Sequence, residues 1–308
     1  MKVLNIICIN PELDLVGYNV FNYLKNNYDL KKIDYKTKLC EIYLIEKDTH
    51  DYYFMITDDH VMHYTEKYID FLIENFSDVE AAVHVNYHAG ASAPDPILSV
   101  HHVGDILSGT YLPYNPQYAT NLLVNMERLR IENNLLDFTC ESETTHFSGI
   151  VTDVDPKLLL KYPVNNIDLE IGSYPDSFNN EIAVKVISET IFEIFNDVND
   201  KRLNVLYLGG AHFEATYTKA ILAKDYPIYL SHQLCGLWLM QTDFENVGYQ
   251  QLKDLIEKST IKYDAIVFHE KVKKLKPILT QLCEDLNIKL FKYNALKNIE
   301  NSEMKELY

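Results

Sequence analysis

The chain has 308 residues, 47% hydrophobic and 24% charged, which is an ordinary globular composition and enough for one large domain or two small ones. Its net charge of −17 argues against non-specific adhesion to nucleic acid, because such binding needs lysine and arginine to displace counterions from phosphates. No apolar run reaches the roughly 18 residues of a transmembrane helix, and the N-terminal run is too short for a signal peptide, so we expect a cytoplasmic protein with neither a membrane nor a DNA partner.

Hydrophobic periodicity and turn residues predict alternating strands and helices. The first half is predicted to contain a strand at 3–8, a helix from a cap at Asn10 to about Tyr28, strands at 41–46 and 52–57, a helix at 64–76, and strands at 79–87 and 97–102. Further elements are predicted as a helix at 116–133, strands at 135–140 and 168–172, a helix at 176–195, a strand at 203–207, a helix at 215–223, a strand at 228–230, a helix at 250–258, a strand at 264–268, a helix at 277–286 and a strand at 288–291. This order indicates an α/β fold with a mostly parallel or mixed sheet. We predict a single catalytic domain over 1–308, with no clear boundary for a small subdomain.

A glycine-containing stretch, Leu208 to Ala215, lies between a predicted buried strand and a predicted helix. Gly209 and Gly210 would let a ligand approach the backbone closely, and the helix start behind them offers free N–H groups to an anion. His212 would lie at the carboxyl edge of the sheet, where open α/β sheets bind ligands. A tight turn with a capping polar residue is the structural alternative.

Histidines recur where strands are predicted to end, at His88, His101, His102, His146, His212 and His232. Each alone is more often a hydrogen-bonded structural residue, but the ends of parallel strands converge on one edge of a sheet. Adjacent residues of a strand face opposite ways, so only one of the neighbouring pair can point inward, and we favour His101. The histidines therefore predict one shared cleft.

Two carboxylates accompany these histidines. Glu143 and His146 are three residues apart in a polar stretch, which suits acid–base catalysis or zinc ligation, although a polar capping loop would look the same. Glu170 lies in an apolar setting, where a carboxylate needs a partner or a metal, or its pKa rises. Motifs for a nucleophilic serine or a phosphate-binding loop are missing from the sequence. Ser92, Ser142 and Ser148 lie near these histidines and leave a serine nucleophile open, but hydrolysis by activated water is the simpler hypothesis.

The ordered motifs resemble the D-aminoacyl-tRNA deacylases of the archaeal and plant type. They are the histidine after a strand at His88, the segment His101-His102-Val103-Gly104-Asp105, Glu143-Thr144-Thr145-His146, Leu169-Glu170-Ile171-Gly172-Ser173, Gly209-Gly210-Ala211-His212-Phe213, and Ser231-His232. The resemblance covers about residues 80 to 235.

This resemblance implies an α/β/α fold related to phosphorylase and peptidyl-tRNA-hydrolase-like folds, and hydrolysis of the ester between a D-amino acid and the 3′ end of tRNA. It also implies a zinc requirement. On the family's pattern we assign Glu143, His146 and His212 to catalysis, His88, His101, Glu170 and His232 to metal binding, and Gly104, Gly209 and Gly210 to substrate binding. Trp238 or Tyr174 would stack on the terminal adenosine.

The chain departs from the family's pattern at three places. Phe147 and Ser148 replace a second histidine and its neighbour, Asp105 replaces an asparagine, and the loop after His88 lacks the expected lysines. Two alternatives therefore stay open: a metal-dependent peptidase or amidohydrolase, and a non-catalytic member that binds a nucleotide or a partner.

Overall fold

The computed structural model describes residues 1–35, 39–59, 66–90, 93–94, 96–148, 154–198 and 200–308, without the side chains of residues 245 and 246. The strands are β1 (Lys2–Cys8), β2 (Lys31–Ile33), β3 (Glu41–Lys47), β4 (His50–Thr57), β5 (Ala81–His88), β6 (Ile97–His102), β7 (Gly104–Asp105), β8 (Thr110–Tyr111), β9 (Thr139–Ser142), β10 (Asn165–Gly172), β11 (Val205–Gly210), β12 (Gln233–Cys235), β13 (Ala265–Phe268) and β14 (Lys289–Lys292). The helices are α1 (Leu15–Asn27), α2 (Glu66–Phe76), α3 (Pro116–Glu132), α4 (Pro175–Phe178), α5 (Glu181–Thr190), α6 (Ala215–Ile221), α7 (Gly236–Gln241), α8 (Phe244–Glu257), α9 (Lys276–Leu286) and α10 (Tyr293–Lys297). None of the described helices is long and apolar enough to cross a membrane.

An eight-stranded mixed sheet forms the centre of the fold, in the order β2-β3-β4-β1-β5-β10-β6-β9. The four inner strands β4, β1, β5 and β10 are parallel, whereas β6 is antiparallel to β10 and β9 is parallel to β6. A second sheet, β12-β11-β13-β14, is wholly parallel. The predicted α/β class with a mostly parallel or mixed sheet is therefore confirmed.

Helices cover both faces of the central sheet, as a sheet with two apolar faces requires. Val3 and Ile7 of β1 belong to a core cluster that also contains apolar residues of α1, α3 and α5. Leu4 of the same strand belongs to a cluster on the other face, which contains residues of α2. One face of the second sheet joins the first of these clusters, while α8 and α9 cover its other face.

Two predicted helix boundaries are wrong for the same physical reason. In each case a residue later in the chain than the predicted start caps the helix. The first helix begins after Asp14, whose Oδ1 accepts the N–H of Gly17 at 2.9 Å, while Asn10 instead holds a turn by accepting the N–H of Glu12. The single helix predicted over 176–195 is split because Asn180 caps a new helix through the N–H groups of Ile182 and Ala183.

The strand predicted at 228–230 is also wrong. Its backbone is satisfied mostly by side chains: Arg202 donates to the carbonyl of Ile228, and Thr120 accepts the N–H of Leu230. A single bridge joins Leu203 to Ile228 there, and the strand that pairs with β11 is β12. An apolar run without a pairing partner in register is buried in this fold as irregular backbone.

Candidate active site

Two rows of polar residues cross three neighbouring strands of the central sheet on one face. The first row pairs Asp168 of β10 with His84 of β5 and His101 of β6, and the second pairs Glu170 with Asn86 and Ser99. Residues two apart along a strand share a face, so both rows lie on the same side of the sheet. Strand register therefore brings carboxylates and imidazoles together in an otherwise apolar layer.

Glu143, which follows β9, is the centre of the site. Its Oε1 lies 2.5 Å from Nε2 of His212, 3.4 Å from Nε2 of His88 and 3.8 Å from Nδ1 of His146. Burial would raise the pKa of this carboxyl, but the imidazoles of His146, His212 and His88 hold it well below its usual range. Glu143 is thus an ionised carboxylate among imidazoles and is buried from solvent.

Ser99 links Glu143 to the second glutamate. Its Oγ lies 3.2 Å from Oε2 of Glu143 and 3.1 Å from Oε2 of Glu170. A hydroxyl has one hydrogen to donate, so one carboxyl must itself be a donor for both contacts to be hydrogen bonds. Burial and the neighbouring charge of Glu143 raise the pKa of Glu170 well above its usual range, so we assign the proton to Glu170.

The His101 and His146 rings are stacked, with centroids 4.1 Å apart. Nε2 of His101 lies 3.3 Å from Oδ2 of Asp168. Although burial lowers the pKa of His101, the Asp168 carboxylate raises it to about 10. Burial and the charge on His101 lower the pKa of His146 to about 3. His101 is thus an imidazolium that stacks on the neutral imidazole of His146.

The site opens at His146 and His212, whose side chains are 20% and 26% exposed. The indole of Trp238 on α7 lies against both, with ring centroids 6.0 Å from His146 and 5.4 Å from His212. Because the Glu143 side chain is buried behind these rings, a substrate meets the imidazoles and the indole first.

The residues that the sequence assigned to catalysis, Glu143, His146 and His212, therefore lie together, as do His88 and His101. Of the neighbouring pair, the structure places His101 in the cluster: His101 stacks on His146, while His102 contacts His232 and Tyr114.

Comparison with known proteins agrees with this site. The family model for D-aminoacyl-tRNA deacylase matches residues 75–291, a range that includes all the site residues described above. The chain belongs to the D-aminoacyl-tRNA deacylase family.

Its relatives within this family are distant. A D-aminoacyl-tRNA deacylase of Methanococcus maripaludis is 26% identical over 196 residues, covering 56% of this chain and 73% of that relative. One of Pyrococcus abyssi is 23% identical over 225 residues, covering 71% of this chain and 76% of that relative. The crystal structure of a conserved protein of unknown function shares the fold, with a TM-score of 0.72, 18% identity and 97% of each chain covered.

Two departures from the deacylase pattern have structural explanations. Phe147 is 2% exposed and packs in the core cluster with Leu112 and Leu159. Asp105 accepts the N–H of Ser108 at 2.8 Å and so holds the turn between β7 and β8. In this deacylase, position 147 serves packing and position 105 serves the turn.

His232, which the sequence analysis assigned to metal binding, lies outside the cluster around Glu143. It is buried beside His102 and Tyr114, and its Nδ1 lies 2.8 Å from Oγ1 of Thr145. Among the described residues, none of the three groups with metal-binding geometry includes it. Its contact with Thr145 supports the segment that carries His146.

The three glycines assigned to substrate binding also have other roles. The N–H of Gly104 donates to the carbonyl of His146 at 3.2 Å. A Cβ on Gly210 would lie 2.5 Å from the ring of Tyr207, and one on Gly209 would lie 2.4 Å from Val272. At Gly209 and Gly210, side chains of the protein rather than open space for a ligand stand where the Cβ would be, so glycine serves packing at these two positions.

Ser99 and Asp168 are the site residues that the sequence analysis did not assign. Both alternate with another polar residue inside an apolar strand, at 99 and 101 in β6 and at 168 and 170 in β10. That period of two was the available signal, since it places each pair on one face.

Proposed function

We propose that this protein hydrolyses the ester of D-aminoacyl-tRNA, releasing a free D-amino acid and tRNA. One observation carries the proposal: a buried ionised glutamate, Glu143, is surrounded by imidazoles, two of which reach solvent. Membership of the deacylase family supports the choice of substrate. The aminoacylated 3′ end of tRNA is then the partner, and the cytoplasm is the compartment that we propose for the reaction.

His212 and Glu143 form a base with its orienting carboxylate. The Nε2–H of His212 donates to Oε1 of Glu143 at 2.5 Å, which leaves Nδ1 as the basic atom of the ring. This imidazole would take a proton from the attacking water and return it to the departing 3′ oxygen of the ribose. Glu143 acts through His212 and is a positioning residue, because no part of its side chain is exposed.

His146 completes the arrangement. Its Nδ1 donates to the carbonyl of Thr144 at 3.0 Å, so Nε2 is the free acceptor. A neutral imidazole with a fixed acceptor atom can orient the water between His212 and the ester carbonyl. Trp238, against both rings, offers a face on which the terminal adenine can stack.

The donor set at Glu143 fits zinc. Atoms of His88, Glu143 and His212 lie within 4.8 Å of one another, and two imidazoles with one carboxylate are the three protein ligands of many catalytic zinc sites. We propose these three residues as the zinc ligands, in place of the predicted set. Because one ring nitrogen of His212 donates to Glu143 and the other is the base, zinc ligation and the general-base role of His212 are alternative states, which the metal content of the active protein distinguishes. When bound, zinc supplies Lewis-acid polarisation of the ester and lowers the pKa of water. A second group with suitable spacing consists of His101, Asp168 and Glu170. In that group the imidazolium of His101 already neutralises the carboxylate of Asp168, so a metal ion is not needed to balance the charge.

The test is deacylation of D- and L-aminoacyl-tRNA by protein purified without chelator, with metal content measured on the same sample. We expect cleavage of the D form and its loss in Glu143→Gln. Cleavage of small amides without any effect on aminoacyl-tRNA would select the peptidase alternative instead. Neither metal nor hydrolysis would favour a non-catalytic member.

A further inference from the structure

The carboxyl edge of the second sheet carries a loop rich in lysine. The loop begins at His269, directly after β13, and continues into α9. Four lysines in it are exposed: Lys271, Lys273, Lys274 and Lys276. Within the described part of the chain, none of these four has a carboxylate oxygen within 4.0 Å of its Nζ. They are cations without an acidic partner among those residues, in a protein of net charge −17.

This lysine loop lies next to the active-site mouth through a continuous set of contacts. The N–H of His269 donates to the carbonyl of Leu208 in β11, two residues before that strand ends at Gly210 and leads into His212. Val272 of the loop packs on Gly209, whose carbonyl oxygen lies 2.6 Å from the position of a Cβ on Gly236 at the start of α7. The loop and α7 are also in direct contact.

The helix α7 in turn carries Trp238, which lies against the partly exposed imidazoles of His146 and His212. The lysine loop, the indole and the catalytic imidazoles therefore follow one another along one edge of the molecule.

Lysines beside this loop also act on His269. Burial lowers the pKa of His269, and the charges of Lys271 and Lys297 lower it further, against the opposite effect of Glu214 and Glu270. The Nζ of Lys297 lies 4.7 Å from the centre of the Tyr293 ring, on the helix that follows the adjacent strand β14. The chain as a whole carries 45 acidic against 28 basic residues, a balance that repels a phosphate chain, so such a chain needs a local set of cations.

We propose that Lys271, Lys273, Lys274 and Lys276 dock the sugar–phosphate backbone of the substrate tRNA beside the active-site mouth. This inference rests on the proposed function and specifies where the nucleic acid lies when its 3′ end reaches Trp238. Exposed ammonium groups bind phosphates as point charges and without base specificity, which suits an enzyme that must accept several tRNAs.

The test compares two variants that each lose four positive charges. One is K271Q/K273Q/K274Q/K276Q in the lysine loop; the other is K25Q/K157Q/K161Q/K224Q, whose lysines are exposed on other parts of the chain. Binding of uncharged tRNA is measured by fluorescence anisotropy between 50 and 200 mM KCl, roughly the range over which the affinity of lysine for phosphate falls steeply. Deacylation is measured on D-aminoacyl-tRNA and on a 3′-D-aminoacyl adenosine fragment.

The loop variant is expected to lower the slope of log K against log salt by about 3, because each phosphate that one of the four lysines no longer neutralises lowers it by about 0.7–0.9. Its KM for aminoacyl-tRNA should rise about tenfold at 0.1 M salt, with unchanged kcat and unchanged kinetics on the fragment. The control variant should behave as wild type. Equal effects of the two variants, or none from the loop variant, would overturn the inference.

Failure of the proposed function gives a different pattern. If wild-type protein does not deacylate but the lysine loop sets the salt slope of its tRNA binding, the proposed reaction is wrong and the docking surface is supported. If deacylation is efficient but its KM does not change in the loop variant, the docking surface is wrong and the proposed reaction is supported. Should the quadruple variant fail to fold, K273Q/K274Q is expected to show about half of the change in slope, and no change would overturn the inference.

Discussion

The assignment of a single proton between two glutamates gives the sharpest prediction. Glu143 and Glu170 both contact Ser99, and we place the charge on Glu143 and the proton on Glu170. A glutamine is nearly isosteric with a protonated carboxyl and keeps a donor for the serine oxygen. Glu170→Gln should therefore change the free energy of unfolding by less than about 1 kcal/mol, in the range of an isosteric hydrogen-bonded replacement.

Glu143→Gln is the matched variant with the opposite expectation. It removes the charge that accepts the 2.5 Å hydrogen bond from His212, and hydrogen bonds to charged groups contribute about 1.5–3 kcal/mol. We expect a loss of stability of about 2–3 kcal/mol on that basis, since the burial penalty of the lost charge offsets any larger value. Deacylation should fall by about 10²–10⁴-fold, because His212 loses its orienting carboxylate.

Urea denaturation at pH 7 and kcat/KM on D-aminoacyl-tRNA measure both effects in one pair of proteins. If Glu170→Gln proved as damaging as Glu143→Gln, Glu170 would have to be ionised and the hydrogen-bond order through Ser99 would be wrong. Loss of bound metal from Glu170→Gln would identify the cause as ligation by this carboxylate.

Three further predictions concern stability and substrate binding. Burial raises the pKa of Asp14 to about 7, so its contribution to stability is present below the unfolded pKa of 3.8 and is lost as the pH rises towards 7, by at most about 4 kcal/mol at 1.4 kcal/mol per unit. Asp14→Asn keeps the cap, so its urea midpoint should fall less than that of wild type between pH 4 and 7, and parallel pH profiles would contradict this account. Gly209→Ala places a methyl group 2.4 Å from Val272 at a φ of +94°, and a loss of about 2–4 kcal/mol is expected by thermal unfolding, partly recovered by adding Val272→Ala. Trp238→Ala should raise KM for the aminoacyl adenosine fragment about 5- to 100-fold and Trp238→Phe much less, whereas equal losses in the two would argue against stacking.

Much of the site could be predicted from residue types and their positions at strand ends. His88, Glu143, His146 and His212 come after strands in the sequence pattern, and the structure brings them within a few ångströms of each other. Strand alternation predicted that only one of the neighbours His101 and His102 faces the site, and that one is His101. These predictions needed no knowledge of which strands are neighbours.

The wrong predictions concern residues whose structure depends on strand pairing or on packing against distant parts of the chain. An apolar tripeptide at 228–230 has the composition of a strand, yet its two outer carbonyls accept from Arg202 and His102, and the N–H of Leu230 donates to Thr120. His232 follows it and was expected at the sheet edge, but it is buried among aromatic rings instead. The glycines at 209 and 210 looked open because the chain pattern shows neither that Val272 packs on Gly209 nor that the ring of Tyr207, in the same strand, folds against Gly210.

The register between β6 and β10 explains why the sequence analysis did not assign Ser99, which bridges Glu143 and Glu170. Ser99 and Glu170 are 71 residues apart and become direct partners only because β6 runs antiparallel to β10 in this one register. A shift of one residue would turn Ser99 and His101 to the other face of the sheet, away from both carboxylates. The apolar residues that alternate with them, such as Leu98 and Val100, occupy the core on that other face and hold the register in place. Core packing on one face of the sheet therefore fixes the strand register, and this register sets the positions of the polar site residues on the opposite face.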